Sequence, residues 1–313
     1  MHRLFFFFLV VAACRRPLVE VDRTVPAFGS YLRVRVLGET RPVAESAAAE
    51  ALREMHRLDS LWSSFSDGSE VVRLNRQRRL RVSAETRELV AAGISAGEKT
   101  GGAFDITIQP LAAAWGFHDG RHRVPDSSEL ARLTRGVGFR RVGLKGDTVE
   151  LGDSAMLDLG GIAAGAAVDR GVEVLKAAGA KQGLIDAGGD IRVFGDRTWR
   201  IGVQDPRGEG VVRVLRLREK AVSTSGDYQK FFMREGVRYC HVLNPRTGCP
   251  VQGVASVTVI AATSVAADAF STAVMAMGPD SGLTLLSADT SLAAIVAYEL
   301  NGRLVWREAG RIP

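Results

Sequence analysis

The chain has 313 residues, 46% of them hydrophobic and 24% charged, a composition that fits a folded protein and excludes a disordered one. Its 41 lysines and arginines against 35 aspartates and glutamates give a net charge of +6, dispersed along the chain except for a short cluster at Arg73 to Arg81. A nucleic-acid binder needs a denser basic stripe, so none is expected as a partner; the balance suits anionic small molecules or a membrane surface.

In chain order, the first element is an export signal. His2 and Arg3 precede an apolar run, Leu4 to Ala13, too short to span a bilayer as a helix, and the run ends in Val11-Ala12-Ala13-Cys14. Small residues before a cysteine resemble a bacterial lipobox. That places a signal peptide at 1–13, a lipidated tether at 14–25 and one domain at 26–313, with the protein held on the cell envelope, facing the periplasm or the outside. No later segment is apolar and long enough to span a membrane. Cys240 and Cys249 either pair across a short loop or remain two thiols.

Tyr31 to Leu37 alternates apolar and polar residues and predicts a half-buried strand. Pro42 opens a helix to about Trp62, with Val43, Ala47, Ala51, Met55 and Leu58 on one face. Ser83 begins another helix, closed by Gly101-Gly102, and residues 111–140 mix turn signals with short apolar groups. Residues 156–170, Met-Leu-Asp-Leu-Gly-Gly-Ile-Ala-Ala-Gly-Ala-Ala-Val-Asp-Arg, predict a tight glycine turn followed by a small-residue helix, an arrangement that brings backbone N–H groups against an anion. Strand-like runs follow at 183–187, 191–194, 199–204, 211–218, 237–243 and 254–261. Ser264 is placed as the cap of a helix over about 265–277, a short helix follows Pro279, and Asn301-Gly302 joins two final strands as a hairpin. Segregated strands and helices predict an α+β fold in a single interwoven body. Neither glycine motif has the G-x-G-x-x-G spacing of a dinucleotide-binding βαβ unit.

Six segments carry the chemistry: Ala103-Phe104-Asp105 through Phe117; Asp158 to Asp169; Asp186-Ala-Gly-Gly-Asp190; Trp199 to Pro206 with Ser223-Thr-Ser-Gly-Asp-Tyr228; His241-Val-Leu-Asn-Pro-Arg-Thr-Gly248; and Asp268-Ala-Phe-Ser-Thr272. Taken in this order they resemble the ApbE family of FAD:protein FMN transferases, from about Phe28 to Gly278. The resemblance implies an ApbE-like, T-fold-related catalytic domain that binds FAD and Mg²⁺. It also implies transfer of FMN to a threonine hydroxyl of a target envelope protein, such as a redox-complex subunit, with AMP leaving.

Within that resemblance the metal ligands fall on Asp268, Thr272 and the backbone carbonyl of Ala163. Asp268 and Thr272 are four apart on a predicted helix, so their oxygens share a face and can meet one hard cation. The FAD positions fall on Phe28, Asn75, Ala103, Phe104, Asp105, Asp158, Ala164 and His241. Phe104 and Asp105 are placed to cover and hydrogen-bond a ring of the nucleotide. His241, put in a strand before the Asn-Pro-Arg-Thr-Gly turn, is the candidate acceptor of the threonine proton, and Asp268 is the other catalytic candidate. The chain departs from the family at Ala164, where a long polar residue is usual, so that FAD affinity is either reduced or supplied by Arg170 or another residue; Cys240 stands for a common His, Asn244 for a common Asp and Phe28 for a common Met. FAD pyrophosphatase activity, with water as nucleophile, and flavin binding without catalysis are the competing readings.

Overall fold

A computed structural model describes residues 17–313; the expected signal peptide and Cys14 lie outside the described residues. The centre of the molecule is an antiparallel sheet of eight strands, ordered β1-β2-β6-β7-β10-β13-β14-β15. The first hairpin is β1 (Val19–Ala27) and β2 (Ser30–Gly38), paired in register from Val19 opposite Gly38. This corrects the tether: from Val19 onward the chain is a strand, because Val21 and Ala27 alternate with polar residues and bury their side chains.

Helix α1 (Arg41–Trp62) follows with Ala44, Ala47, Ala48, Ala51, Met55, Leu58 and Trp62 buried, so the stripe includes Ala44 while Val43 is only half-buried. A long excursion then intervenes. It holds α2 (Glu70–Gln77), β3 (Arg79–Arg81), α3 (Ala84–Lys99), α4 (Gln109–Ala114), α5 (Ser127–Thr134), β4 (Val142–Lys145) and β5 (Thr148–Leu151), with β3, β5 and β4 forming a separate small sheet. The chain returns through α6 (Ala163–Ala177) to β6 (Gln182–Ala187), which pairs with β2 across that excursion. The α+β fold is therefore interwoven.

The second half supplies β7 (Asp190–Phe194), the hairpin β8 (Trp199–Gln204) and β9 (Val211–Leu217), β10 (Ala221–Gly226), the hairpin β11 (Phe231–Arg234) and β12 (Val237–Cys240), and β13 (Val254–Ala261). Helices α7 (Ser264–Met277) and α8 (Pro279–Ser287) precede the last pair, β14 (Ala293–Leu300) and β15 (Arg303–Ala309). Every residue of β13 is buried, as expected for a central strand covered on both faces. One face is covered by α1, α6 and α7; on the other, Trp199, Ile201, Val203, Leu215 and Leu217 of the β8–β9 hairpin pack on Leu184, Val193, Val222, Ile260 and Ile295. Cys240 is buried, Cys249 exposed, and the two are not bonded.

Helices α6 and α7 cross at Gly165, where a Cβ would stand 2.6 Å from the Ser264 carbonyl oxygen and 2.9 Å from Asp268 Cβ. No side chain fits without parting the helices. Gly165→Ala is expected to lower the free energy of unfolding by about 1–3 kcal/mol, measured by urea denaturation, since the obstacle is partly backbone. A variant as stable as the parent contradicts this crossing.

Candidate active site

The glycine-rich motif is held from below before it turns. Both atoms of the Asn75 side-chain amide bind the backbone of Leu157: Nδ2 donates to its carbonyl at 2.9 Å and Oδ1 accepts from its N–H at 2.7 Å. The N–H of Asp158 donates to Ile106 O at 2.8 Å. Asp158 is thereby fixed with one carboxylate oxygen accepting from the Gly160 N–H at 2.8 Å and the other 3.0 Å from His118 Nε2. Burial works to raise its pKa, but the hydrogen bond and charge of His118, the Gly160 N–H and the charge of His241 together hold it below the ordinary carboxylate range. The exposed ring of Phe65 stands 5.4 Å from the His118 ring, an aromatic surface beside the same carboxylate. Neither His118 nor Phe65 stood in a motif.

Helix α7 is brought to this turn by a carboxylate of α6. Asp169 accepts from the N–H groups of Ser264 and Val265 at 2.8 and 2.9 Å and pairs with Arg192 at 2.6 Å. Thr263, not Ser264, is the cap, accepting from the Ala266 N–H; the Ser264 hydroxyl is buried without a partner. From that start, the Gly165 N–H donates to Asp268 Oδ2 at 3.1 Å. One turn further, a Cβ on Gly161 would lie 3.4 Å from Thr272 Oγ1 and 3.2 Å from the Phe104 ring. Gly160, Gly161 and Gly165 all have ordinary φ, so close approach to α7 and Phe104, not a left-handed turn, is what requires glycine at 161 and 165. Asp268 and Thr272 thus meet the start of α6, where Ala163 is the first helical residue.

Burial shifts the carboxyl groups of this crossing toward their neutral forms. Burial raises the pKa of Asp268 well above the ordinary value, and the charges of Asp190 and Asp169 add to the shift. Asp190 is pushed up to about 7 by burial, its bond from Ser223 notwithstanding, and Asp169 is raised by burial despite Arg192. Among the described residues, Arg192 is the single basic side chain ion-paired to any of the three. No three His, Cys, Asp or Glu side chains among them converge into a metal cage. The donors brought to the start of α6 are instead a carboxylate and a hydroxyl, hard oxygen groups of the kind Mg²⁺ takes together with phosphate oxygens and water.

The residues expected to touch the nucleotide divide into two groups. Phe28 occupies the β1–β2 turn with φ of 53°, its N–H donating to Asp59 at 3.0 Å and its ring half-buried. His241 lies just past β12, which ends at Cys240, so the expected strand over 237–243 is shorter; the Asn244 side chain pulls the chain into its turn by accepting from the Arg246 and Thr247 N–H groups. His241 Nδ1 stands 3.2 Å from the Lys230 carbonyl, an acceptor, so Nδ1 carries the proton and Nε2 is left with its lone pair. Burial and the charge of Lys230 push its pKa down to about 4.

The second group faces inward. Both oxygens of Asp105 are taken by the protein, Oδ1 by the Thr107 N–H and hydroxyl at 2.8 and 2.6 Å, and Oδ2 by the Phe139 N–H at 2.8 Å. Asp105 folds its loop and does not reach out to a ring. Phe104 is 4% exposed and supports Gly161 from the core, and Ala103 is buried beside it. Asn75 spends its amide on Leu157 and acts through it. Ala164 is half-buried with no polar atom to offer, and Arg170 does not replace it, being paired to Glu54 and Glu173.

A model of the ApbE family matches residues 28–296. The chain is 32% identical over 279 residues to a FAD:protein FMN transferase of Rhodobacter capsulatus, covering 84% of this chain and 53% of that protein, and so spans about half of that relative's length. It is 33% identical to a FAD:protein FMN transferase of Treponema pallidum, covering 92% and 88%. The structure superposes on the ApbE protein of Thermotoga maritima with a TM-score of 0.86 at 31% identity, covering 93% and 97% of the two chains. The apo flavinyl transferase ApbE of Pseudomonas stutzeri gives 0.84 at 32% identity, covering 94% and 96%.

Removing the Asn75 amide leaves the N–H and C=O of Leu157 without their partners at the base of the site. Asn75→Ala is expected to cost about 1–3 kcal/mol of stability in urea denaturation. An unchanged midpoint shows that the clamp does not hold the motif.

Proposed function

The chain belongs to the ApbE family, and from that premise we propose that it is an FAD:protein FMN transferase. In this reading it uses Mg²⁺ to move FMN from FAD onto a threonine hydroxyl of an envelope protein, with AMP as the leaving group. One observation carries it: Asp268 and Thr272 of α7 meet the glycine turn that leads into α6, on which Asp158 accepts from the Gly160 N–H.

Phosphoryl transfer asks a protein for positioning and charge neutralisation more than for covalent chemistry. Asp268 Oδ, Thr272 Oγ1 and the Ala163 carbonyl are the residues that would hold Mg²⁺, and the ion supplies neutralisation of the pyrophosphate as charge builds on the departing phosphate. The N-terminus of α6 adds a partial positive charge toward the same anion. His241 presents an unprotonated Nε2, held in that tautomer by the Lys230 carbonyl. The threonine oxygen forms a bond to the phosphorus of the FMN half, the bond from that phosphorus to the AMP oxygen breaks, and Nε2 takes the hydroxyl proton. Lipid anchoring through Cys14 places this reaction at the membrane, where an envelope acceptor is available.

Incubation with FAD, Mg²⁺ and a threonine-bearing acceptor protein is expected to leave flavin fluorescence on the acceptor band in a denaturing gel. Free FMN and AMP without labelling would show an FAD pyrophosphatase instead, and intact FAD under every metal condition a binding protein. Since a base must be unprotonated, transfer should persist below pH 6.5 and fall as pH drops through about 4, the value to which burial lowers His241. An acid limb centred near 6.5, or one that survives in His241→Ala, removes His241 from the role of base.

A further inference from the structure

Thr272 is expected to offer a lone pair to a cation, and a hydroxyl does so only if its own hydrogen points elsewhere. Three buried or half-buried hydroxyls settle where it points. Ser271 Oγ lies 2.9 Å from the backbone carbonyl of Asp268, which only accepts, so the Ser271 hydrogen is committed there. Ser225 Oγ, on β10, lies 2.8 Å from Ser271 Oγ; with the Ser271 hydrogen spent, Ser225 is the donor of that pair. Thr272 Oγ1 lies 3.3 Å from Ser225 Oγ, and with the Ser225 hydrogen spent in turn, Thr272 donates to Ser225. The neighbouring Ser223 does not reverse the chain, because its hydrogen goes to Asp190 at 2.5 Å.

We infer that Ser225 and Ser271 are positioning residues for the metal: the one-way chain from Thr272 through Ser225 and Ser271 to the Asp268 carbonyl leaves Thr272 Oγ1 facing the glycine turn with lone pairs alone. This rests on the reading that Asp268 and Thr272 hold a divalent cation. It also gives the Ser223-Thr-Ser-Gly226 segment a task, since β10 brings Ser225 to α7 without contact to the nucleotide being required. Removing Ser225 deprives the Thr272 hydrogen of its acceptor. Removing Ser271 frees the Ser225 hydrogen to turn on Thr272, which must then send its own hydrogen toward the cation.

Mn²⁺ titration of the FAD-free protein, followed by electron paramagnetic resonance of the unbound ion, tests this without turnover. Ser225→Ala and Ser271→Ala are each expected to weaken Mn²⁺ binding about tenfold, as outer partners of ligands do, with thermal melting and circular dichroism showing a folded protein. Thr272→Val should weaken it further, and Thr272→Ser, which keeps the hydroxyl, should restore affinity close to the parent. Parental Mn²⁺ affinity in both serine variants, with Thr272→Val impaired, overturns the relay while leaving the metal reading intact. Parental affinity in Thr272→Val and in Asp268→Asn overturns the metal reading itself. If one serine variant does not fold, the other decides.

Discussion

Everything in the proposed site depends on two helices lying too close for a side chain between them. Gly165 lets the first turn of α6 rest on Asp268 of α7, and its N–H then satisfies one oxygen of that carboxylate. Gly161 repeats the approach one turn along, against Thr272 and Phe104. Asp169 locks the same crossing from the other end by binding the first two N–H groups of α7. A single sequence motif therefore supplies the turn, the helix N-terminus and the cap of the partner helix, and the geometry of α7 follows from it.

The same crossing gathers buried carboxyl groups. Asp169, Asp190 and Asp268 are each driven upward in pKa, and Arg192 balances only the first. Burial favours the protonated, neutral form of carboxyl groups in that state. The hydroxyl chain that runs from Thr272 through Ser225 and Ser271 to the Asp268 carbonyl links α7 to β10. Asp158 on the glycine turn is held below the ordinary carboxylate range chiefly by His118 and the Gly160 N–H.

Much of this was legible in the sequence because it rests on local signals. Alternation marks β2, an apolar run bounded by turn residues marks β13, the alanine stripe marks α1, and Asn301-Gly302 marks the last hairpin, whose two turn residues have φ of 52° and 73°. Four-residue spacing put Asp268 and Thr272 on one face. What escaped notice depends on contacts across the chain. β10 reads Ala-Val-Ser-Thr-Ser-Gly, with too little apolar contrast to announce a strand, and Val19 to Ala27 looked like a linker until paired with β2. No local pattern shows that Thr107 and Phe139 bind the Asp105 carboxylate, or that the Phe104 ring is buried against Gly161. His118 has no motif at all, and only the fold sets it against Asp158, 40 residues away.

The central claim is that Asp268 and Thr272 place a divalent cation at the start of α6, against the phosphates of FAD. Crystals of the protein grown with FAD and Mn²⁺, with data collected for manganese anomalous scattering, test it most directly. The account predicts an anomalous peak within coordination distance of Asp268 Oδ, Thr272 Oγ1 and a phosphate oxygen. A fully loaded crystal with FAD bound and the manganese peak elsewhere, or with none, would contradict it.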